Sequence, residues 1–304
     1  MVRIEGRVAP ALALVANAFV WGVSWWPFRQ LQAQGLHPLW ATAFIYVVAI
    51  ALLLAVQPHA WRAFGSHGQL WALMLAAGIT NVGFNWAVTV GDVVRVVLLF
   101  YLMPAWSVLL AWPLLGERPT MAAIVRLALA LVGLVVILHE PGMPLPVPRA
   151  LPDLLALLGG FSFALTNILL RRLQDAPSVA RVGAMFTGGA LAASSAALLG
   201  MAQGAVPAPA LVGIAGTALA LVLTLGFLAG NACLQFGASR LPAQTTALVM
   251  LSEVLFASVS SVLLDAAELS SRTWAGGALI VAAAGWAAWA SPRQGDSAQP
   301  QSAA

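Results

Sequence analysis

The sequence predicts an all-α integral membrane protein: ten transmembrane helices arranged as two inverted five-helix repeats. Three observations lead there. Of 304 residues, 61% are hydrophobic and only 8% charged, against roughly 25% charged in soluble domains, and the mean hydropathy is +0.92. Ten apolar runs alternate with short connections rich in turn-forming and charged residues. Three groups of positions in the first five runs recur, in the same order, in the last five.

A helix crosses a hydrocarbon core of about 30 Å with about 20 residues. The runs read as spans at 10–30, 38–57, 69–89, 93–115, 121–138, 151–171, 180–202, 209–235, 242–264 and 273–290. Breakers separate them: Gly35 to Pro38, Pro58 to Gly68, Gly116 to Pro119, Pro141 to Pro152, Asp175 to Pro177, Gly204 to Pro209 and Asp265 to Arg272. The first run follows Arg3 and Arg7 and would pass for a signal peptide in isolation, but nine further runs make it the first span. The expected division is 1–140 for the first repeat and 150–290 for the second. Residues 291–304, poor in large apolar side chains, are expected to be a disordered tail.

The net charge of +4 does not point to nucleic acid, because the basic residues are scattered singly between apolar runs. All fourteen are Arg and none is Lys, which with abundant Ala, Gly and Pro suggests a GC-rich bacterial genome. Short cytoplasmic loops are enriched in basic residues. With the N-terminus inside, Arg3, Arg7, Arg62, Arg118, Arg126, Arg171, Arg172, Arg181, Arg240 and Arg293 fall on the inner side. Arg29, Arg95, Arg149 and Arg272 fall on the outer side. That excess favours both termini in the cytoplasm, with the expected membrane the inner membrane of a bacterial cell. The single cysteine, Cys233, provides no disulfide framework and no metal-ligand spacing. His37, His59, His67 and His139 lie in loops or at span ends, and no H-E-x-x-H, G-x-S-x-G or Walker pattern occurs. No enzymatic activity, cofactor or ATP-driven step is expected.

The repeat emerges when the chain is slid against itself. At an offset of 142, Phe19, Trp21, Gly22, Ser24, Arg29, Leu31 and Gln32 meet Phe161, Phe163, Ala164, Thr166, Arg171, Leu173 and Gln174. At 150, Asn81 and Asn85 meet Asn231 and Gln235. Near 151, Glu117 meets Glu268 and Thr120 meets Ser271. Five is an odd number, so the second copy enters the membrane upside down relative to the first. Inverted repeats of this kind place a substrate near the midplane between the halves.

The stretch from Pro104 to Thr120, PAWSVLLAWPLLGERPT, closes a span with Leu-Gly-Glu-Arg-x-Thr, and Gly133 follows. With ten spans and duplicated halves, the chain resembles the EamA type of the drug/metabolite transporter superfamily over about residues 10 to 290. The second copy, Leu251 to Ser271, departs from the pattern: Ala266-Ala267-Glu268 replaces Leu-Gly-Glu, and the usual Pro near Glu253 to Leu255 is missing. The resemblance implies a secondary transporter exporting amino acids or related small metabolites by alternating access. Multidrug or cationic-compound efflux is the neighbouring possibility, and a non-transporting membrane scaffold is the reading from another class.

Glu253 is the most informative residue, because it lies twelve positions into a span and so near the bilayer midplane. A charge there costs about 2.5–3.5 kcal/mol on insertion scales, so it should face a cavity or a partner. It is either a proton-coupling carboxylate, an anchor for a substrate amino group, or a structural acid bonded to a neighbouring helix. Thr246, Val249, Glu253, Phe256 and Ser260 fall on one helical stripe. Polar side chains within the other spans are the remaining candidates for substrate contact: Trp21 and Ser24, with Asn17 on their face; Asn81 and Asn85; Thr166 and Asn167, with Ser162; and Asn231 and Gln235. Interhelical hydrogen bonding is the alternative for each. Arg95 and Asp92, three apart at the start of span four, are a candidate gate or a pair snorkelling at the interface. The tryptophans near span ends suit the interfacial belt, whereas Trp21, Trp86 and Trp106 sit deeper. The expected partners are a small-molecule substrate, lipid and, as a candidate coupling ion, protons, with a monomer or homodimer sufficient.

Overall fold

The computed structural model describes residues 2–90, 93–138, 148, 150–264 and 271–290. The described residues are helical with no strand. The helices are α1 (Val2–Val23), α2 (Trp25–Ala33), α3 (Pro38–Val56), α4 (Ala63–Ser66), α5 (Gln69–Val90), α6 (Val93–Phe100), α7 (Met103–Leu115), α8 (Met121–Leu138), α9 (Leu151–Arg172), α10 (Ser178–Ala202), α11 (Ile214–Ala238), α12 (Ala243–Met250), α13 (Glu253–Leu263) and α14 (Ser271–Ala290). A 3₁₀ turn, Ala60–Arg62, precedes α4. Eight continuous segments are long and apolar enough to cross a membrane, and Met121–Ile137 and Trp274–Ala287 are shorter apolar helices. The ten spans are thus α1 with α2, α3, α5, α6 with α7, α8, α9, α10, α11, α12 with α13, and α14.

Packing follows the repeat. α5 of the first half runs against α9, the first span of the second half, and α1 runs against α11 in return. The fourth spans follow suit: α6 and α7 lie on α9, and α12 and α13 lie on α1. The fifth spans, α8 and α14, pack on each other away from the centre. That last crossing depends on small residues: a Cβ on Gly133 would lie 2.6 Å from the Gly276 carbonyl oxygen, and Gly276 faces Gly133 in return. Close backbone approach of this kind replaces the missing hydrophobic drive between helices in lipid.

Three of the spans read as single apolar runs are each built of two helices. Span one breaks at Ser24, whose hydroxyl donates to the Trp21 carbonyl at 2.7 Å, three residues before Pro27, which cannot bond back to Val23. Span four breaks at Tyr101–Leu102, because Pro104 has no N–H to give to Phe100. Its ladder tightens to i−3 bonds, Leu102 to Leu99 at 3.3 Å and Ala105 to Leu102 at 2.9 Å. Span nine breaks at Leu251–Ser252, 150 residues later, without a proline. There Ser252 Oγ donates to the Val249 carbonyl at 2.7 Å, and Leu255 N–H bonds Ser252 at 3.0 Å, matching Ala105 to Leu102. A hydroxyl bonded back to the preceding turn bends a helix, and here it stands in for the absent proline.

Candidate functional site

The two matched breaks face each other at the centre of the bundle. Around them lies a cavity of about 100 Å³, room for several water-sized groups. Eight aromatic rings line it: Trp21, Tyr46, Phe84, Phe100, Tyr101, Phe163, Phe186 and Phe227. Met103, Met185 and Met250 fill the gaps, and the polar atoms come from Thr80, Asn81, Asn85, Thr166, Asn231 and Glu253. Among the described residues on its wall, Glu253 is the sole charged side chain. Every span except the peripheral α8 and α14 contributes.

The break in span nine is what presents Glu253, the first residue of α13. Its carbonyl oxygen would lie 2.6 Å from a Cβ on Gly22, so α1 can cross here only at a glycine. In the other half Gly160 of α9 lies against the Phe100 carbonyl in the same way. Tyr101, at the break in span four, faces Glu253 on the cavity wall. One carboxyl and one hydroxyl, each from a broken span, thus meet across the boundary between the halves.

The amides form a second tier. Tyr46 Oη donates to Asn81 Oδ1 at 2.9 Å while Asn81 Nδ2 donates to the Ala77 carbonyl at 2.9 Å. Asn85 Nδ2 donates to Thr42 Oγ1 at 3.2 Å. Across the cavity, Gln235 Nε2 donates to Asn231 Oδ1 at 2.8 Å. Trp21 stacks on Phe227 with centroids 4.5 Å apart, and Tyr46 meets Phe186 edge-on at 4.9 Å.

Six of the candidate residues meet at this wall: Trp21, Asn81, Asn85, Thr166, Asn231 and Glu253. Four do not. Ser24 is buried at the span-one break, and Gln235 stands behind Asn231. Asn167 and Thr246 are buried without a protein partner and do not line the cavity. The stripe through Thr246, Val249, Glu253, Phe256 and Ser260 is interrupted by the helix break, so Thr246 and Val249 are buried on one side of it while Phe256 meets Phe19 at 5.4 Å and Ser260 accepts from Trp25 Nε1 at 2.9 Å on the other. Asp92 and the Ala266-Ala267-Glu268 segment lie outside the described residues, as does the 291–304 tail, and Arg95 is described only as backbone in α6. Sequence reasoning passed over Tyr46 and Tyr101. A signal existed: the chain has two tyrosines, both deep in apolar runs, where a hydroxyl needs a partner.

A protein-family model describing an EamA-like transporter family matches residues 9–139 and again 150–288. The chain belongs to the EamA-like transporter family. The two matches coincide with the two five-helix halves, so this EamA-like chain is a multi-pass membrane transporter with a duplicated architecture. One solved protein structure superimposes with a TM-score of 0.74 over 91% of this chain and 95% of its own, at 19% identity, which bears on the fold alone. No curated protein sequence matches.

The EamA-like cavity is asymmetric along the membrane normal. One end carries Glu117, Arg118, Arg171, Arg172, Arg181 and Arg240 and is called here the arginine-rich end. Towards it, α7 and α12 pack directly against each other, whereas their counterparts at the opposite end, α6 and α13, barely touch. All of α12 except Gln244 is buried; in α13 only Val254 is. The bundle is sealed at the arginine-rich end and loose at the other.

Proposed function

We propose that this chain is a secondary transporter of amine-bearing organic cations, exchanging them at Glu253, and that protons compete for the same carboxylate. One observation carries the reading: among the described residues of the wall there is a single carboxyl group, with no cationic side chain beside it, amid eight aromatic rings. Ring faces attract a desolvated cation by about 2 kcal/mol, and the carboxylate supplies the countercharge. A bare carboxylate at the bilayer centre costs about 2.5–3.5 kcal/mol, so the conformations that reorient are those in which a proton or a substrate cation neutralises it. That condition couples the two fluxes.

The same chemistry favours organic cations over free amino acids, the other substrate class the sequence suggested. A zwitterion would present its carboxylate to rings and to the amides of Asn81, Asn85 and Asn231, with no guanidinium among the described residues of the wall to receive it. A non-transporting scaffold has no use for a polar cavity between its halves. We further propose export from the cytoplasm of a bacterial inner membrane, with both termini inside, on the arginine distribution and the family resemblance.

Proteoliposomes carrying a pH-sensitive dye test the reading. Wild-type protein challenged with aromatic amines and quaternary ammonium compounds should move protons, amino acids should do so weakly, and Glu253→Gln should do neither. Equal flux in wild type and Glu253→Gln, or a preference for amino acids, overturns it.

A further inference from the structure

We infer that Glu117 and Arg171 form the latch of a second access route, at the arginine-rich end, and that Ser107, Asn167 and Thr246 line the route it closes. The inference rests on the transport reading, which requires the cavity to open to both sides in turn.

Glu117 ends the first repeat's fourth span, just beyond the left-handed Gly116. Its carboxyl oxygen lies 2.9 Å from Arg171 Nε, in the last turn of α9, and it sits beside the backbone amide of Ala243, the first residue of α12. One side chain therefore ties spans four, six and nine together, joining both halves, and a carboxylate suits the N-terminus of α12. Beneath it Ala111, Ile168 and Ala243 form a dry apolar layer, each at most 1% exposed.

Between that layer and the cavity the packing changes character. Ser107 Oγ, both side-chain polar atoms of Asn167 and Thr246 Oγ1 are buried and have no protein partner. They come from α7, α9 and α12, the three helices that Glu117 holds together, and Thr166, beside Asn167, reaches the cavity wall. Buried polar groups without partners are costly, and Ala or Val would fill the same space more cheaply. The closed packing makes no use of these groups. Separation of α7 from α12 would expose all of them to water, so they stabilise the open form relative to the closed one, and the Glu117 contacts oppose them. The balance makes the region two-state, as alternating access requires.

The test is thiol accessibility, which needs no substrate and so succeeds or fails independently of the Glu253 flux assay. In a Cys233→Ser background, Thr246→Cys and Ser107→Cys are reacted with a membrane-impermeant maleimide applied to the arginine-rich face of membrane vesicles. Labelling is expected to be slow with the latch intact and about tenfold faster in Glu117→Gln and in Arg171→Gln, as follows from losing a charge-assisted contact. Arg171→Lys keeps the charge and should stay slow, which separates unlatching from general loosening, and monodispersity in detergent confirms folding. Rates that do not change in Glu117→Gln, or that rise equally in Arg171→Lys, overturn the latch.

Discussion

Tyr101 and Glu253 occupy the two matched helix breaks, and the tyrosine hydroxyl faces the carboxylate across the boundary between the repeats. In the proposed transport cycle this contact joins elements that move relative to each other, and a hydroxyl that hydrogen-bonds a carboxylate in one state contributes about 1.5–3 kcal/mol there. Tyr101→Phe should therefore retain transport with a KM for cations altered by about tenfold or more and with a shifted pH profile, whereas Glu253→Gln should lose coupled flux altogether. Measuring flux against pH for both variants separates a positioning hydroxyl from a merely packed ring, which would leave the profile where it is.

The crossing of α1 over α13 depends on Gly22. A methyl group there would lie 2.6 Å from the Glu253 carbonyl and 2.7 Å from Phe256 Cβ. Gly22→Ala should destabilise the protein by about 1–3 kcal/mol and disturb the Glu253 turn, lowering both the thermal midpoint and transport. Gly226→Ala is the control, since its added Cβ would meet Val20 at an ordinary 3.7 Å.

Gln235 acts through Asn231. It donates to Asn231 Oδ1 at 2.8 Å from behind the cavity wall. Gln235→Ala should weaken transport only while Asn231 is present, so the double variant with Asn231→Ala should be no worse than Asn231→Ala alone. Additive losses in KM would place both side chains in direct contact with the solute. The energies involved are modest, about 0.6 kcal/mol for an average interhelical hydrogen bond, so initial-rate kinetics and not thermal stability is the readout.

His37 caps α3 outside the membrane span, with Nδ1 accepting the Leu39 N–H at 3.3 Å. Burial holds its imidazole below the ordinary value of 6.5. Only the neutral ring can accept, and protonation favours the unfolded chain. The cap's contribution is therefore complete above about pH 6.5 and is lost as the pH falls through the lower native value. The thermal midpoint of purified protein should drop over that acidic range, and His37→Asn, a capping residue that does not titrate there, should flatten the dependence.

The repeat was legible because polar residues are rare in these spans, so each coincidence in register carries weight. Asn81 with Asn231, and Glu117 at the close of span four, stood out against an apolar background. The breaks were only half legible. Pro104 announces one, but in span nine the bend arises from Ser252 bonding back to Val249 and from Gly22 pressing on the Glu253 carbonyl. Periodicity therefore continued a stripe from Thr246 to Ser260 through a helix that in fact turns a corner. Aromatic residues were harder still. Phe163, Phe186 and Phe227 are ordinary in a lipid-facing or core position, and nothing in their spacing separates a ring in the cavity from a ring in the packing.

By itself the sequence determined the solvent, the number of spans and their duplication, because the cost of burying polar groups in lipid acts on every residue locally and leaves its mark in composition and order. It also placed one acid at mid-membrane depth. Only the tertiary structure decided which side chains share a cavity, that Tyr101 reaches Glu253, and which end of the bundle is shut. Those depend on how helices distant in the chain rotate against one another. A few close contacts between small residues and the bent spans set that rotation, and hydrophobicity, nearly uniform around helices such as α3, α5 and α7, does not encode it.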